Sequence, residues 1–443
     1  MNALLLLASL ALPSRADVPV PEIPFEKITL DNGLEVILSQ DDRLPLVAVN
    51  IWYHVGGGNE VPGRSGFAHL FEHIMFQGSR NVPEDAFFPI LEAAGAPMVN
   101  GTTDFDRTNY FETVPANQLE LALWLESDRM GFLLDTLSQE RLDNQKAVVR
   151  KERQQSVENV PYGKADERLF QLLFPAPHPY NGVVIGTHQD LEAATLADVT
   201  DFFRTWYAPN NATLAIVGDF DRDQALAMVN RYFAEIPAGP TPPELVIQTQ
   251  PITAERREAM TDKVELPRVT MAWITPAVLQ PGDAELILAG RVLSEGKSSR
   301  LYTELVEKQQ IAQSVSAWQY SLNQGSVFGI ELTGKPGQDP ARLEAEAWKV
   351  VEQLREKGPT PTELTRALRG MQAQVLRGLE SLGGFGGKAD VLNHYNHFTG
   401  DPGHLATELK ALAAVDAKAM SQALGALRTD NRVVIVVTPE ESR

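Results

Sequence analysis

The chain contains no cysteine. That excludes a disulfide framework, a thiol nucleophile and any zinc site built on sulfur, so a zinc ion could be held only by histidine and carboxylate. Beyond the N-terminus, no hydrophobic run is long enough to cross a membrane. Basic residues are scarce: 39 Lys and Arg stand against 58 Asp and Glu, a formal net charge of −19. Such a surface argues against nucleic acid or an anionic membrane as the main partner and permits basic or neutral polypeptides. There is no low-complexity block. At 443 residues and 43% hydrophobic, the composition is that of a globular protein of two to four domains with ample core.

What is present is concentrated in one stretch, Ser65-Gly66-Phe67-Ala68-His69-Leu70-Phe71-Glu72-His73-Ile74-Met75-Phe76. It reads as a helix with Ser65 as N-cap. His69 and His73 are four apart, so both imidazoles leave on one face, with Glu72 beside them. Two neutral imidazoles at this spacing can grip one divalent metal, and zinc suits nitrogen ligands. A carboxylate on that face can accept a proton from water activated by the metal, the machinery of metal-assisted hydrolysis. The order His-x-x-Glu-His inverts the commoner zincin order. The bland alternative is a helix face with two satisfied histidines and a solvated Glu.

Met1 to Ala16 reads as a secretory signal peptide: Ala3–Leu12 is apolar, Pro13 breaks the run, and Ser14-Arg15-Ala16 offers small residues before a cut at Asp17. Its start carries no Lys or Arg. A cleaved signal implies an exported, periplasmic protein. An Asn32-Gly33 turn implies a hairpin over Ile28–Leu38. Val47–Val55 reads as a strand; His54 in it receives no role. Glu84–Ala94 reads as a helix in conflict with Pro89. Val99–Phe111 includes strand-like sequence that could pair with an extended peptide or form an ordinary hairpin arm. Asn117–Met130 is helical, and Ser138 caps a helix to about Glu158. His178 falls in a loop. The stretch 237–250, rich in Pro, is a linker. After it the pattern repeats: strand Val269–Thr275, then helix Asp283–Ser294, without histidine, in the place of the metal helix. Thr360-Pro361-Thr362-Glu363 is a capping box that starts a helix to about Glu380. Gly383–Gly387 reads as a flexible joint, His394 and His397 as structural or surface residues, and Arg432–Val437 as a last strand. The expected organisation is a signal peptide over 1–16, a domain over 17–236, a linker over 237–250 and a homologous domain over 251–443. The expected fold class is α+β, each domain a mostly antiparallel sheet covered by helices.

His69-Leu70-Phe71-Glu72-His73, followed about eighty residues later by Val148-Val149-Arg150-Lys151-Glu152, resembles the insulinase/pitrilysin family of inverted zincins. In its length the chain resembles the branch akin to processing peptidases. The resemblance implies that His69, His73 and Glu152 bind one Zn2+ per chain and that Glu72 is the general base. It implies that Asn100, Gly101 and Thr102, in the run Asn100-Gly101-Thr102-Thr103 followed by Asp106, Thr108 and Tyr110, contact the substrate backbone. It also implies a clamshell of which this chain is half.

Two positions depart from the family pattern. Gln145 stands where relatives often place a Glu behind the metal; an amide can still orient a ligand, without adding charge. Val306 and Gln313 stand where active members carry an Arg and a Tyr that help stabilise the developing oxyanion. The expectation is therefore a zinc endopeptidase of peptides that works as the metal-bearing subunit of a heterodimer, a homologous second chain supplying the Arg/Tyr pair. The alternatives are a non-catalytic scaffold subunit of the same fold and an active homodimer.

Overall fold

A computed structural model describes residues 22–243 and 247–440. The expected signal peptide lies outside the described residues. Among the described residues, eleven strands, β1 Glu26–Thr29, β2 Glu35–Gln40, β3 Leu46–Tyr53, β4 Met98–Thr103, β5 Thr108–Pro115, β6 Ala212–Gly218, β7 Arg256–Asp262, β8 Arg268–Thr275, β9 Ala312–Tyr320, β10 Ser326–Gly334 and β11 Val433–Pro439, form two sheets. The first has the order β1-β2-β6-β3-β5-β4 and the second β7-β11-β8-β10-β9. Without β1 the two orders correspond strand for strand. Each sheet has one parallel pair, β2 with β6 and β7 with β11, and is otherwise antiparallel. The repeat seen in the sequence is therefore a repeat of topology, and the α+β class holds.

The helices are α1 Phe67–Ile74, α2 Phe87–Ala93, α3 Leu119–Phe132, α4 Gln139–Arg153, α5 Gly163–Leu173, α6 His188–Ala193, α7 Leu196–Trp206, α8 Arg222–Phe233, α9 Asp283–Ser294, α10 Pro340–Lys357, α11 Pro361–Gly378, α12 Lys388–Thr399, α13 Leu405–Ala414 and α14 Ala417–Leu424. One face of the first sheet packs Val47, Val49, Ile51 and Ile216 against Leu70, Phe71, Leu123 and Phe203. The second sheet buries Met271, Trp273 and Ile330 against Leu288, Val292 and Val351.

The remaining faces are covered by exchange. Helix α12 of the second half lays Ala389 and Leu392 on Ala48, Ala215 and Val217 of the first sheet. Helix α5 of the first half lays Leu169 and Leu173 on the second-sheet side that carries Ala272, Val433 and Ile435. The contact is also polar. His54 and His397 stack at 4.8 Å with their Nδ1 atoms 2.5 Å apart. Burial pulls His54 down to about 4 and holds His397 well below the ordinary imidazole value, so the pair is uncharged, one ring donating and the other accepting. These histidines join the halves; they are not surface groups.

Four local expectations need correction. Asn32-Gly33 does not make a two-residue turn: Thr29 pairs with Glu35, and the amide of Asn32 instead donates to the carbonyls of Phe233 and Ile236, which holds a longer loop. Pro89 causes no kink, because the helix begins at Phe87 and the first turn has no partner for that N–H anyway. Gly383–Gly387 is not a flexible joint; a Cβ at Gly383 would lie 2.7 Å from Thr113 Oγ1, and Gly384 has φ +78°, so the segment is packed on the first sheet. Ser65 is not the N-cap of α1.

Candidate metal centre

Helix α1 is capped by a group the sequence did not offer. Its N-cap is Gly66 at φ 88°, where a Cβ would come within 2.6 Å of the Ile185 carbonyl. Only glycine suits that combination. The free N–H groups of Gly66 and Ala68 donate to the two carboxylate oxygens of Glu60, each at 2.8 Å. Ser65 turns away: its hydroxyl donates to Asp190 at 2.5 Å and accepts from the Thr187 N–H at 3.1 Å.

The same 185–187 loop fixes the end of α4. Ser138 caps that helix as expected, and at its other end Arg153 donates to the Gly186 carbonyl at 2.6 Å and to both oxygens of Glu167. A single π turn, Gln154–Glu158, follows. Glu152 is thus held at a braced helix end opposite α1.

The packing brings His69, His73 and Glu152 together, with one ligand atom of each within 4.8 Å of the others. His73 Nε2 is 3.0 Å from Glu152 Oε2, and His69 Nε2 is 3.6 Å from Oε1. Burial, then the neighbouring His73, pulls His69 down to about 4, so its ring offers a lone pair at neutral pH. The His73 contact holds Glu152 below the ordinary carboxylate range. Two imidazole nitrogens and one carboxylate aimed at a common point fit a zinc ion with an open coordination position.

Glu72 lies beside this trio. Burial raises its pKa, and the Thr103 hydroxyl opposes the rise by donating to Oε2 at 2.7 Å. Thr103 was not singled out in the sequence. Side chains alternate along a strand, so Gly101 and Thr103 of β4 share the side towards α1. A Cβ at Gly101 would lie 3.1 Å from Glu72 Cγ, Phe76 and Tyr110. Thr102 faces the other way: its hydroxyl donates to Asn109 at 2.5 Å and its carbonyl accepts from Arg107. Asn100 is exposed on the rim of a cleft of about 470 Å³ that is also lined by Glu72, His73, Phe76, Phe88 and Gln145. Strand β4 is the edge of its sheet. Gln145 is buried in the cleft wall; among the described residues no hydrogen bond joins it to either histidine.

Val306 and Gln313 are not brought to this place. Val306 lies in a helical turn, Tyr302–Lys308, against the second core, and Gln313 is exposed on β9, the other sheet's edge. Helix α9 occupies the position of α1 and carries no histidine.

Residues 35–173 match the family described as Insulinase (Peptidase family M16), and residues 193–371 match its companion, the Peptidase M16 inactive domain. A relative named "Zinc protease PqqE" from Helicobacter pylori is 30% identical over 384 residues, covering 85% of this chain and 84% of its own. A subunit beta of a probable mitochondrial-processing peptidase from Arabidopsis thaliana is 21% identical, over 69% of this chain and 59% of its own. Among solved structures, a protease from Helicobacter pylori superposes with a TM-score of 0.88 at 26% identity, covering 95% of this chain and 100% of that one. The periplasmic protease PqqL from Escherichia coli superposes at 0.75 and 18% identity, and there this chain's 96% spans 48% of the other. Matched in both halves, and related along most of its length to proteins named zinc proteases, the chain belongs to the insulinase family of peptidases.

Proposed function

We propose that this protein is a zinc-dependent endopeptidase that cuts extended peptides and acts as the metal-bearing subunit of a two-chain enzyme. His69, His73 and Glu152 would hold the ion. Zinc bound by this set supplies Lewis acidity, activating water and polarising the scissile carbonyl. Glu72 is the general base: with Oε2 held by Thr103, Oε1 is free to take the proton from water and later give it to the leaving amine. The burial that raises its pKa suits a group that must both accept and return a proton. The free edge of β4 offers backbone groups to a peptide, the Gly101 N–H being held by the Asn100 side chain at 2.9 Å, and Asn100 and Gly101 lie on it beside Glu72. The convergence of two imidazoles and a carboxylate beside a half-buried, hydroxyl-bound Glu carries this reading.

The partner is inferred from what Val306 and Gln313 lack. Neither can supply a cation or a phenol to a developing oxyanion, so a homologous chain would close over the cleft and bring an Arg/Tyr pair. The same lack favours one alternative, a scaffold subunit without catalysis. Export to the periplasm belongs to the proposal through the N-terminal sequence. The test is cleavage of quenched peptides by the zinc-assayed chain, alone and mixed with a homologous chain that carries the Arg/Tyr pair. Zinc bound and activity on mixing support the proposal; strong activity alone removes the need for the partner. Absence of both zinc and activity leaves the scaffold.

A further inference from the structure

The strap Gly383–Gly387 joins α11 to α12 and lies on the side of the first sheet away from the metal helix. Four of its five residues are glycine, and it is not loose. Gly383 sits over Ala48 and Thr113 with no room for a Cβ, and Gly384, at φ +78°, approaches the Met98 sulfur as closely. The Gly386 N–H donates to Asp390 at 2.9 Å, and Asp390 also accepts from the Trp52 indole at 3.3 Å. The strap is thereby tied to β3 and laid against the start of β4.

The exception is Phe385. Its ring meets Phe111 edge-on at 5.2 Å, yet it is 66% exposed, the most exposed large apolar side chain among the described residues. A side chain that served only to cover Phe111 would be buried with it. Beside it Met98 is 43% exposed. Met98 and Asn100 share one side of β4, and Gly101 and Thr103 the other. A peptide added to this edge would send alternate side chains to the two sides. Those on one side meet Glu72 and the Phe76–Phe88 wall; those on the other meet Met98 and the strap. Met98 is three positions from Gly101, about 10 Å along the strand.

We propose that Phe385 and Met98 form a subsite that selects peptides with a large apolar residue about three positions from the bond cut, on the side facing the start of β4. The inference rests on the peptidase reading for its substrate class. The occupant follows from continuity: the apolar pair flanks the same free edge that passes Glu72. Phe385 acts on specificity and holds no proton or ion.

The experiment uses the full chain with Glu72→Gln, so that binding is read without hydrolysis, and fluorescent peptides in which leucine or serine occupies each position in turn. The expected result is one position at which leucine binds about tenfold tighter than serine, a preference abolished by Phe385→Ala and restored by Phe385→Leu. The same pairs are then hydrolysed, in the presence of the homologous chain that carries the Arg/Tyr pair, by the chain with its native Glu72 and by Phe385→Ala in that background, which should raise KM for the leucine peptide and leave the serine peptide and the zinc content unchanged. Equal loss for both peptides, no leucine preference, or loss of chain association in place of peptide selection would overturn the proposal. If binding shows the preference while no preparation hydrolyses peptide, the subsite stands and the peptidase reading fails.

Discussion

Replacing Thr103 by valine tests the arrangement of the proposed general base most directly. The two side chains have nearly the same shape, so what is lost is the hydroxyl that donates to Glu72 Oε2 at 2.7 Å. A hydrogen bond to an ionised carboxylate is worth about 1.5–3 kcal/mol. If that energy is spent in aiming Oε1 at the water, the barrier rises by the same amount, a loss of about 10- to 150-fold in kcat. Thr103 touches neither histidine nor Glu152, so zinc content should stay at the level of the unmodified chain. Serine at 103 should recover most of the rate. Thr102→Val is the internal control, because that hydroxyl points to Asn109 on the opposite side of the strand. The assay is peptide hydrolysis at saturating substrate, in the presence of the partner chain where activity requires it, with zinc measured on the same samples. A Thr103→Val rate within about twofold of the original, or a greater loss from Thr102→Val, would refute the placement of Glu72 and Thr103.

Three further outcomes are expected. His73→Ala should abolish bound zinc and hydrolysis together, and a chelator should lower the melting temperature of the original chain but not of the variant; at zinc one hundred times above its dissociation constant the ion stabilises by about 2.7 kcal/mol. Gly66→Ala should cost about 2 kcal/mol or more, from the left-handed φ and the approach to the Ile185 carbonyl, which a denaturant melt measures. Asp106, buried and bonded to Tyr180 and to the Asn323 N–H, is pushed up to about 6, mainly by burial. Folding therefore takes up a proton between the ordinary carboxyl value near 3.8 and about 6. Its contribution to stability is largest below that window and is lost as pH rises through it. Melting against pH should show this fall in the original chain and lack it in Asp106→Asn.

Much of the candidate metal trio could be read in advance because its signals are local. His69, Glu72 and His73 fall on one face by helical spacing alone, whereas Glu152 came only through family resemblance, being eighty residues away. Thr103 was within reach: once Gly101 is placed against Glu72, alternation puts Thr103 there too. Glu60 was not. A carboxylate six and eight residues before the N–H groups that it caps has no pattern of its own, and Ser65 at the expected cap position was the stronger local signal. Its hydroxyl was drawn off by Asp190, a partner 125 residues away. Strands β7, β9 and β10 escaped notice for a related reason. β7 alternates half-buried and exposed residues without a strong apolar face, and Gly329 in β10 sits under the Trp318 ring, where a Cβ would be 2.2 Å away.

The exchange of helices between the halves constrains how the cleft can open. If α5 and α12 each cover the other half's sheet, neither half can swing without uncovering an apolar face. Leu392, Ala389 and Leu382 on one side and Leu169, Leu173 and Phe174 on the other are all nearly inaccessible. Exposing a fully buried leucine costs about 1.5–3 kcal/mol, so parting even the four leucines among them would consume most of the 5–15 kcal/mol that typically separates folded from unfolded chains. That cost argues against a hinge inside the chain as a route for substrate entry; in the proposed two-chain enzyme, opening falls between the two chains. The consequence is measurable in the single chain. Calorimetry should give one unfolding transition whose calorimetric and van't Hoff enthalpies agree, and residues 17–236 produced alone should fail to fold until residues 251–443 are supplied. Two separate transitions, or an independently folded first half, would show that the exchanged helices are not what binds the halves and would return the hinge to the chain itself.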